Sequence, residues 1–401
     1  MRCARDPFPR PAVLGYVLCI CAAWILGGCA SLERLPAVPF AQAQKSSILD
    51  IPDARFQAND NERINAVART VQQRRIKTGA ISRPLRFLVI SGGGDDGAFG
   101  AGLLLGWSER GDRPQFDVVT GVSTGALSAP FAFLGRDHDG PLRRIYSESA
   151  AGDIFESRAI VTVLAKDGVV DSAPLRRMID GYVDAAMVEE LAAAYRAGRL
   201  LLILTTNLDQ GRPVIWNLGA IAESRHPKAR ELIVDVLLAS ASIPAIFPPV
   251  MIDVSIDGQT FQEMHVDGGT VAQAFMYPPS FSLRRFANRT PGEETRQPVV
   301  YIIRNGRFSR PEANIERHTL EIAKQALATM TTSSGVNDTY RMYLIAQRDG
   351  VAYNLASIED DFDVPYKGPF DQGYMRSLFD YGYNKMRGRN VWHKVPPGYV
   401  R

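Results

Sequence analysis

The chain has 401 residues, of which 46% are hydrophobic and 22% are charged. These values are ordinary for a globular protein, so the composition gives no reason to expect intrinsic disorder. The formal net charge is only +3, and the paired basic residues are scattered along the chain. This balance does not favour a nucleic-acid partner.

The first 28 residues have the layout of a secretory signal peptide. Arg2, Arg5 and Arg10 precede a short uncharged apolar run that ends in Leu-Gly-Gly-Cys, with the cysteine at position 29. The run is shorter than the roughly 20 residues that a membrane-spanning helix prefers. Its end resembles the lipobox of bacterial lipoproteins, which implies that Cys29 carries lipid and becomes the new N-terminus. An ordinary secretory signal or a start-anchor helix is the alternative.

All four cysteines lie in this N-terminal segment, at Cys3, Cys19, Cys21 and Cys29. Cleavage before Cys29 leaves one cysteine, so we expect neither a disulfide framework nor a cysteine-based metal site. A multiply acylated cysteine holds a protein firmly on a membrane. We therefore expect a lipid-anchored protein of the bacterial cell envelope. By resemblance to bacterial lipoproteins, Ala30 favours the periplasmic side of the outer membrane.

Beyond the signal, the chain alternates between apolar runs and helical patterns. Residues 29–58 are rich in proline and alanine without clear periodicity, which predicts a tether, and residues 59–83 contain a first helix. Strands are then predicted at residues 86–91, 116–120, 199–206 and 299–304, and helices at 98–110, 124–134, 173–183 and 227–240. This alternation predicts an α/β fold with a mostly parallel sheet and helices on both faces.

Two predicted hairpins interrupt the alternation, with turns at residues 209–211 and 257–258. The last third has a helical pattern from 314 to about 346, a short strand near 351–356 and a helix around 372–386. We expect one catalytic domain at residues 84–305, with residues 306–401 packing on the same domain as a helical part.

A glycine loop follows the first predicted strand of this domain. Gly92, Gly94 and Gly97 fit the dinucleotide-binding spacing G-x-G-x-x-G, after a strand and before a helix. That fingerprint also needs an acidic residue at the end of the second strand, whereas Asp117 lies at the start of its strand. Two consecutive aspartates inside the loop would meet the pyrophosphate, and no G-K-[ST] follows. A nucleotide cofactor is therefore the weaker interpretation, and we expect no cofactor.

The second strand leads into Gly121-x-Ser123-x-Gly125, followed by an apolar helix. This is the context of a nucleophile elbow, in which a tight strand-to-helix turn exposes the serine hydroxyl. Both loops lie at carboxyl ends of strands, which meet at one edge of a parallel sheet. The amides of Gly93 and Gly94 can then bind the oxyanion that forms when Ser123 attacks an ester carbonyl, each contributing about 3 kcal/mol.

The base that would activate Ser123 is less obvious from the residues alone. His318 and His393 are available for a triad, but each lies in a pattern typical of surface residues. A Ser-x-x-Lys arrangement is absent, because Ala126 occupies the third position after the serine. The sequence HVDGGT places Asp267 after an apolar strand, although Asp-Gly-Gly is most often a turn. His265 lies two residues earlier on the same face, where packing is the more common role.

The ordered motifs GGGxxG, G-x-S-x-G and D-G-[GA] resemble those of the patatin-like phospholipases, over roughly residues 84–305. The resemblance implies an α/β lipid acyl hydrolase with a Ser-Asp dyad: Ser123 as nucleophile and Asp267 as base. It also implies that the segment from 92 to 97 is the oxyanion loop and that glycines flank both catalytic residues. The oxyanion-loop glycines are Gly92, Gly93, Gly94 and Gly97, and the flanking ones are Gly121, Gly125, Gly268 and Gly269.

One position departs from the family pattern. The family usually has Arg or Lys just before the last glycine of the loop, where this chain has Asp96. A carboxylate about 6 Å from an oxyanion, at an effective dielectric constant of ~20, would cost about 3 kcal/mol. We expect Asp95 and Asp96 instead to point outward and cap the following helix.

The sequence thus predicts a membrane-anchored serine phospholipase or esterase that acts on membrane lipids or other acyl esters through an acyl-enzyme. A non-catalytic lipid-binding envelope lipoprotein on the same fold is an alternative, as is an acyltransferase or thioesterase. No metal site is indicated, since EF-hand spacing is absent.

Overall fold

The computed structural model describes residues 33–148, 156–157, 170–287, 296–309, 314–388 and 391–400. Cys29 and the predicted signal peptide, residues 1–28, lie outside these ranges. None of the helices within them combines the length and apolar character needed to cross a membrane.

Nine strands of the part of the chain that the structure describes form one large sheet. They are β1 (Arg55–Gln57), β2 (Arg86–Ile90), β3 (Val118–Val122), β6 (Leu200–Asn207), β7 (Arg212–Asn217), β8 (Val250–Ile256), β9 (Gln259–Asp267), β10 (Val299–Arg304) and β11 (Ala352–Ser357). The short strands β4 (Glu156–Ser157) and β5 (Val170–Asp171) pair with each other.

The main path of the sheet runs β1-β7-β6-β3-β2-β10-β11. The five strands from β6 to β11 along this path are parallel, whereas β7 is antiparallel to β6, and β1 to β7. The β8–β9 hairpin joins the sheet through antiparallel pairing of β9 with the end of β6. The carboxyl ends of the parallel strands therefore form one edge, which we call the carboxyl edge.

Helices cover both faces of this sheet. The bounds are α1 (Asn61–Lys77), α2 (Gly97–Arg110), α3 (Thr124–Leu134), α4 (Asp139–Arg143), α5 (Ala173–Tyr182), α6 (Ala185–Arg196), α7 (Leu218–Glu223), α8 (Ala229–Ala241), α9 (Leu283–Ala287), α10 (Thr319–Asp349) and α11 (Gln372–Arg387). Strand β2 shows why both faces need cover, because Leu88 and Ile90 pack into one core while Phe87 and Val89 pack into the other. Helices α2, α3, α8 and α11 cover the first face, and α1 and α10 cover the second.

The predicted fold class, an α/β fold with a mostly parallel sheet and helices on both faces, is confirmed. Most predicted elements lie within two residues of the observed ones, and both predicted hairpin turns connect paired strands. The second strand is displaced by two residues, since β3 continues to the residue before Ser123. Asp117 precedes it, fully buried, where it accepts the backbone N–H of Arg86 and forms an ion pair with Arg75.

The prediction of a tether over residues 29–58 needs correction from residue 33 onward. Ile48, Ile51 and Phe56 are buried in the two cores. Strand β1 also extends the sheet, with Phe56 opposite Ile215 of β7. The segment buries six apolar residues that are two to five positions apart without a constant period, which is why the lack of periodicity was misleading: Val38, Ala43, Ile48, Ile51, Ala54 and Phe56.

The C-terminal region contributes to the same sheet and core. Strand β11 pairs in parallel with β10, and α11 packs against α2. Gly102 and Gly106 of α2 make this approach possible, because a Cβ at Gly102 would lie 2.0 Å from the carbonyl oxygen of Phe379. The small residues of α2 thus accommodate a helix as well as the sheet.

Candidate active site

Ser123 and Asp267 are brought together by the pairing of β6. Strand β3 ends with Val122 opposite Leu204 of β6. Strand β9 then takes over the same side of β6, with Asp267 opposite the next residue, Thr205. The two strands arrive from opposite directions along one neighbour. Their ends therefore place the two side chains face to face at the carboxyl edge.

Ser123 has the strained backbone of a nucleophile elbow. Its φ is +54° and its ψ is −128°, a conformation that non-glycine residues rarely adopt. Its N–H donates to the Ser240 hydroxyl at 3.1 Å, and helix α3 begins at the next residue. A Cβ at Gly125 would lie 2.3 Å from the Ile90 carbonyl oxygen, and one at Gly121 would lie 2.6 Å from the Gly125 carbonyl oxygen. The glycines therefore allow α3 to start tightly against β2.

Asp267 is a buried carboxylate beside the Ser123 side chain. Only 4% of the residue is exposed. Burial raises its pKa from 3.8 to about 7, although the interaction with the Ser123 hydroxyl and the hydrogen bond from the Gly269 amide, at 2.6 Å, both act to lower it. A Cβ at Gly268 would lie 2.4 Å from the Leu204 carbonyl oxygen, so this turn too is closely packed.

The glycine loop presents two amides that the fold does not use. The Gly92 amide donates to the Gln273 carbonyl oxygen at 2.9 Å, and the Gly97 amide donates to carbonyl oxygens of the loop at the start of α2. The amides of Gly93 and Gly94 make no hydrogen bond to the part of the chain that the structure describes. Gly94, with a φ of +57°, lines the same cleft as Ser123. Of the four predicted oxyanion-loop glycines, only Gly93 and Gly94 therefore have amides available to a ligand.

The two aspartates of this loop do not cap α2, contrary to expectation. Asp96 makes no side-chain hydrogen bond to the helix start, and its Oδ1 accepts from the Tyr374 hydroxyl at 2.8 Å. Asp95 Oδ2 accepts from the Phe370 backbone N–H at 2.7 Å. Both carboxylates thus hold the segment that precedes and begins α11, which the sequence alone did not connect to the loop.

A mostly apolar cleft opens beside Ser123. It is lined by Gly94, Ser123, Thr124, Leu127, Ile145, Tyr146, Leu175, Met178, Ala241, Ile243, Phe247, Phe370 and Met375. The polar groups of Thr124 and Tyr146 bond to each other, with 2.6 Å between their hydroxyl oxygens. The lining therefore presents mainly hydrocarbon, with the Ser123 hydroxyl and the Gly94 backbone as its polar features.

The histidines lie away from Ser123 or form hydrogen bonds with other residues. His318 and His393 pair with Glu316 and Glu359 near the surface. His265 is fully buried, with Nδ1 2.9 Å from the Thr205 hydroxyl and Nε2 3.1 Å from Glu263. It therefore belongs to a buried polar network. Within the part of the chain that the structure describes, no hydrogen bond joins His265 to Asp267. A triad with histidine has no support in this arrangement.

Three residues that support the site escaped the sequence analysis. Gln273 accepts the Gly92 amide through its carbonyl oxygen and donates through Nε2 to the Gly269 carbonyl oxygen, so it ties the glycine loop to the turn after Asp267. The side chain of Asn305 donates to the Ser91 carbonyl oxygen at 2.8 Å. Ser240, near the end of α8, accepts the Ser123 N–H through its hydroxyl oxygen and donates to the Leu204 carbonyl oxygen at 2.7 Å. In the sequence, Asn305 and Ser240 could have been noticed as polar residues at the ends of a predicted strand and a predicted helix.

Among the described residues, no three His, Cys, Asp or Glu side chains cluster as metal ligands. The site is therefore built from a serine, a carboxylate and two backbone amides beside an apolar cleft.

Comparison with known proteins identifies one family that this chain matches. The model of the patatin-like phospholipase family matches residues 88–276. No curated protein gives a significant match. Among solved structures, the chain is similar to VipD from Legionella pneumophila, with 11% identity, a TM-score of 0.35 and coverage of 76% of this chain and 66% of that one.

Two further solved structures are similar. Human GIVD cytosolic phospholipase A2 has 13% identity and a TM-score of 0.28, with 70% of this chain and 52% of that chain covered. The type III effector protein ExoU has 13% identity and a TM-score of 0.25, with 78% and 55% covered. The chain thus spans between about half and two thirds of the length of these proteins. Residues 88–276 of this chain are a patatin-like phospholipase domain, a family assignment that supports a lipid hydrolase function.

Proposed function

We propose that this protein is a serine lipid acyl hydrolase in which Ser123 is the nucleophile and Asp267 the general base. One observation carries the proposal: the strained Ser123 faces a buried carboxylate whose pKa burial raises to about 7. A general base is most effective when its pKa lies near the operating pH, and this one does.

The proposed reaction has two halves. In the first, Ser123 Oγ attacks the ester carbonyl carbon and its proton passes to Asp267. The tetrahedral oxyanion accepts hydrogen bonds from the Gly93 and Gly94 amides, then collapses, and the departing alkoxide takes the proton from Asp267. In the second half, Asp267 removes a proton from a water molecule that attacks the acyl carbonyl carbon. The bond between this carbon and Ser123 Oγ then breaks, Asp267 returns the proton to Ser123 Oγ, and the fatty acid is released.

The two amides supply the electrostatic part of the catalysis. A preorganised oxyanion donor typically contributes about 3 kcal/mol to transition-state stabilisation. Asp96 accepts a hydrogen bond from the Tyr374 hydroxyl, and Asp95 accepts one from the Phe370 backbone N–H. Because both carboxylates are held by the segment at the start of α11, this arrangement supports an oxyanion loop that they leave intact. The alternative of a lipid-binding protein with a spoiled site therefore has less support.

The apolar lining of the cleft supports a proposal for the substrate class. Hydrocarbon side chains line the space next to Ser123, as an acyl chain requires. We propose a membrane lipid or another long-chain acyl ester as substrate, hydrolysed without a cofactor or metal.

We further propose that Cys29 is lipidated and anchors the protein in a bacterial cell envelope, on the periplasmic side of the outer membrane. The support is the basic start, apolar run and Leu-Gly-Gly-Cys of the N-terminal sequence. Mass spectrometry of the protein purified from membranes tests this: a lipid-modified N-terminal Cys29 is expected, and an unmodified chain starting at Met1 contradicts it.

The enzyme proposal is tested by incubating the protein with a fluorophosphonate probe and with short-chain and phospholipid esters. Ser123→Ala should abolish both labelling and turnover, while Asp267→Asn should abolish turnover and strongly slow labelling. Asp257→Asn is the matched control, because Asp257 lies exposed in the β8–β9 turn. A folded wild-type protein that neither reacts with the probe nor cleaves any ester contradicts the proposal.

A further inference from the structure

Exposed hydrophobic side chains are concentrated on one part of α10. Ile322, Leu327 and Met330 are 53%, 59% and 67% exposed. They lie in residues 319–334, which we call the arm. At 100° per residue, these three side chains and the exposed Ala323 and Ala326 fall within a sector of about 140° on the helix. Thr319, Ser333 and Ser334 share this sector at the two ends of the arm, so the apolar stripe that the described fold does not cover runs from Ile322 to Met330.

The arm projects from the carboxyl edge, where Ser123 lies. Further along α10, the Asp338 carboxylate accepts a hydrogen bond of 2.7 Å from the Gln273 backbone N–H. The Gln273 carbonyl oxygen in turn accepts the N–H of Gly92 in the glycine loop. Near its C-terminal end, Ala346 accepts the N–H of Val351, just before β11 begins at the opposite edge. Residues 319–334 therefore extend beyond the carboxyl edge, by up to about 24 Å along the helix axis.

The opening of the cleft and the first described residues of the chain both lie at the carboxyl edge. Ile246, next to the cleft residue Phe247, is 45% exposed. Arg34 forms two hydrogen bonds of 2.8 Å with Asp209, in the turn that follows β6 at the carboxyl edge. Only five residues separate Arg34 from Cys29, so a lipid on Cys29 can lie no further than about 18 Å from Arg34.

We propose that the carboxyl edge docks on a lipid bilayer, with the apolar stripe of the arm inserted at the membrane surface. An amphipathic helix binds an interface in this way, with its apolar face among the lipid chains and its polar face in water. The short link to Cys29 holds this edge at the membrane and directs the cleft opening toward it. The inference rests on the proposed function, because a lipid substrate makes the bilayer the expected partner.

The orientation can be measured with a fluorophore at a single site. The protein with Met330→Cys is prepared with Cys29 retained, because the proposed lipid both supplies the anchor and blocks that thiol, and is labelled with a polarity-sensitive fluorophore. A form with serine in place of all four natural cysteines is used only for the measurement before vesicles are added. Leu344→Cys is the matched control, since Leu344 is 58% exposed on the same helix but lies near the opposite edge. Both proteins are reconstituted into phosphatidylcholine vesicles with brominated chains. We expect a blue shift and quenching at position 330, and neither at 344.

Equal quenching at the two positions, or no quenching at 330, overturns the proposal. A blue shift at 330 before vesicles are added also overturns it, because a second copy of the chain then covers the arm. Hydrolysis of a soluble short-chain ester, assayed on the same samples, separates the two proposals. Quenching at 330 without ester hydrolysis refutes the enzyme alone, and ester hydrolysis without quenching refutes the docking alone.

A second measurement links docking to turnover. The triple variant Ile322→Ser, Leu327→Ser, Met330→Ser should lose at least about tenfold in hydrolysis of phospholipid vesicles, because its three serine side chains gain no free energy from entering an apolar phase. Its hydrolysis of a soluble ester should be unchanged, and Leu344→Ser should behave as wild type on both substrates. Equal vesicle turnover by the triple variant and the wild type refutes the docking.

Discussion

Replacing Asp267 by asparagine should have opposite effects on activity and on stability at alkaline pH. Burial raises the pKa of Asp267 from 3.8 to about 7, so the folded protein binds this proton more tightly than the unfolded chain does. The contribution of this group to the free energy of unfolding is therefore complete below pH 3.8 and is lost as the pH rises through 7. At about 1.4 kcal/mol per pKa unit, the loss amounts to about 4 kcal/mol, of which about 3 kcal/mol falls between pH 5 and pH 8.

The assay is equilibrium urea unfolding of the wild type and of Asp267→Asn at pH 5 and at pH 8. The free energy of unfolding of the variant, relative to the wild type, should rise by about 3 kcal/mol between the two pH values, because asparagine cannot ionise. Turnover by the wild type should rise with pH through about 7, as the base loses its proton. The exposed Asp257→Asn should show neither effect. If the free energies of unfolding of the wild type and Asp267→Asn change by the same amount between pH 5 and pH 8, the reasoning is refuted.

Further predictions concern strain, close packing and the buried ion pair. Ser123→Gly should be about 1 kcal/mol more stable than Ser123→Ala, both lacking activity, because only alanine retains the strain of a φ of +54°; equal unfolding midpoints would contradict this. Gly125→Ala should destabilise the fold by roughly 2 kcal/mol or more, since the new Cβ would lie 2.3 Å from a β2 carbonyl oxygen. Gly181→Ala, in open space on α5, should instead stabilise the fold by about 0.5–1 kcal/mol. Thermal unfolding should therefore show a lower midpoint for Gly125→Ala and a higher midpoint for Gly181→Ala than for the wild type. Burial alone would raise the pKa of Glu263, but the Arg55 guanidinium and a buried histidine lower it to about 2. Glu263→Gln should therefore cost about 3 kcal/mol in the free energy of unfolding at pH 7, an effect that shrinks as the pH falls from 4.5 toward 2. A loss of stability that is the same at pH 7 and pH 3 would contradict this.

Local signals explain why the elbow around Ser123 could be predicted from the sequence. The elbow around Ser123 is a strand, a turn and a helix in direct succession, so its glycines and apolar runs identify it without knowledge of the rest of the fold. Asp267 is different, because its role came only through the resemblance to a family. Nothing near HVDGGT indicates that the serine is its neighbour.

The sequence by itself determined the α/β class, the bounds of most strands and helices, and the turn that strains Ser123, since these depend on residues close together in the chain. Only the tertiary structure decided the partner of that serine, because Asp267 reaches it by replacing β3 as the neighbour of β6. The tertiary structure also decided the directions of Asp95 and Asp96. Both half-buried carboxylates accept hydrogen bonds from the segment at the start of α11, which lies far from them in sequence. Long-range pairing leaves no periodicity in the sequence, which is why such contacts could not be predicted.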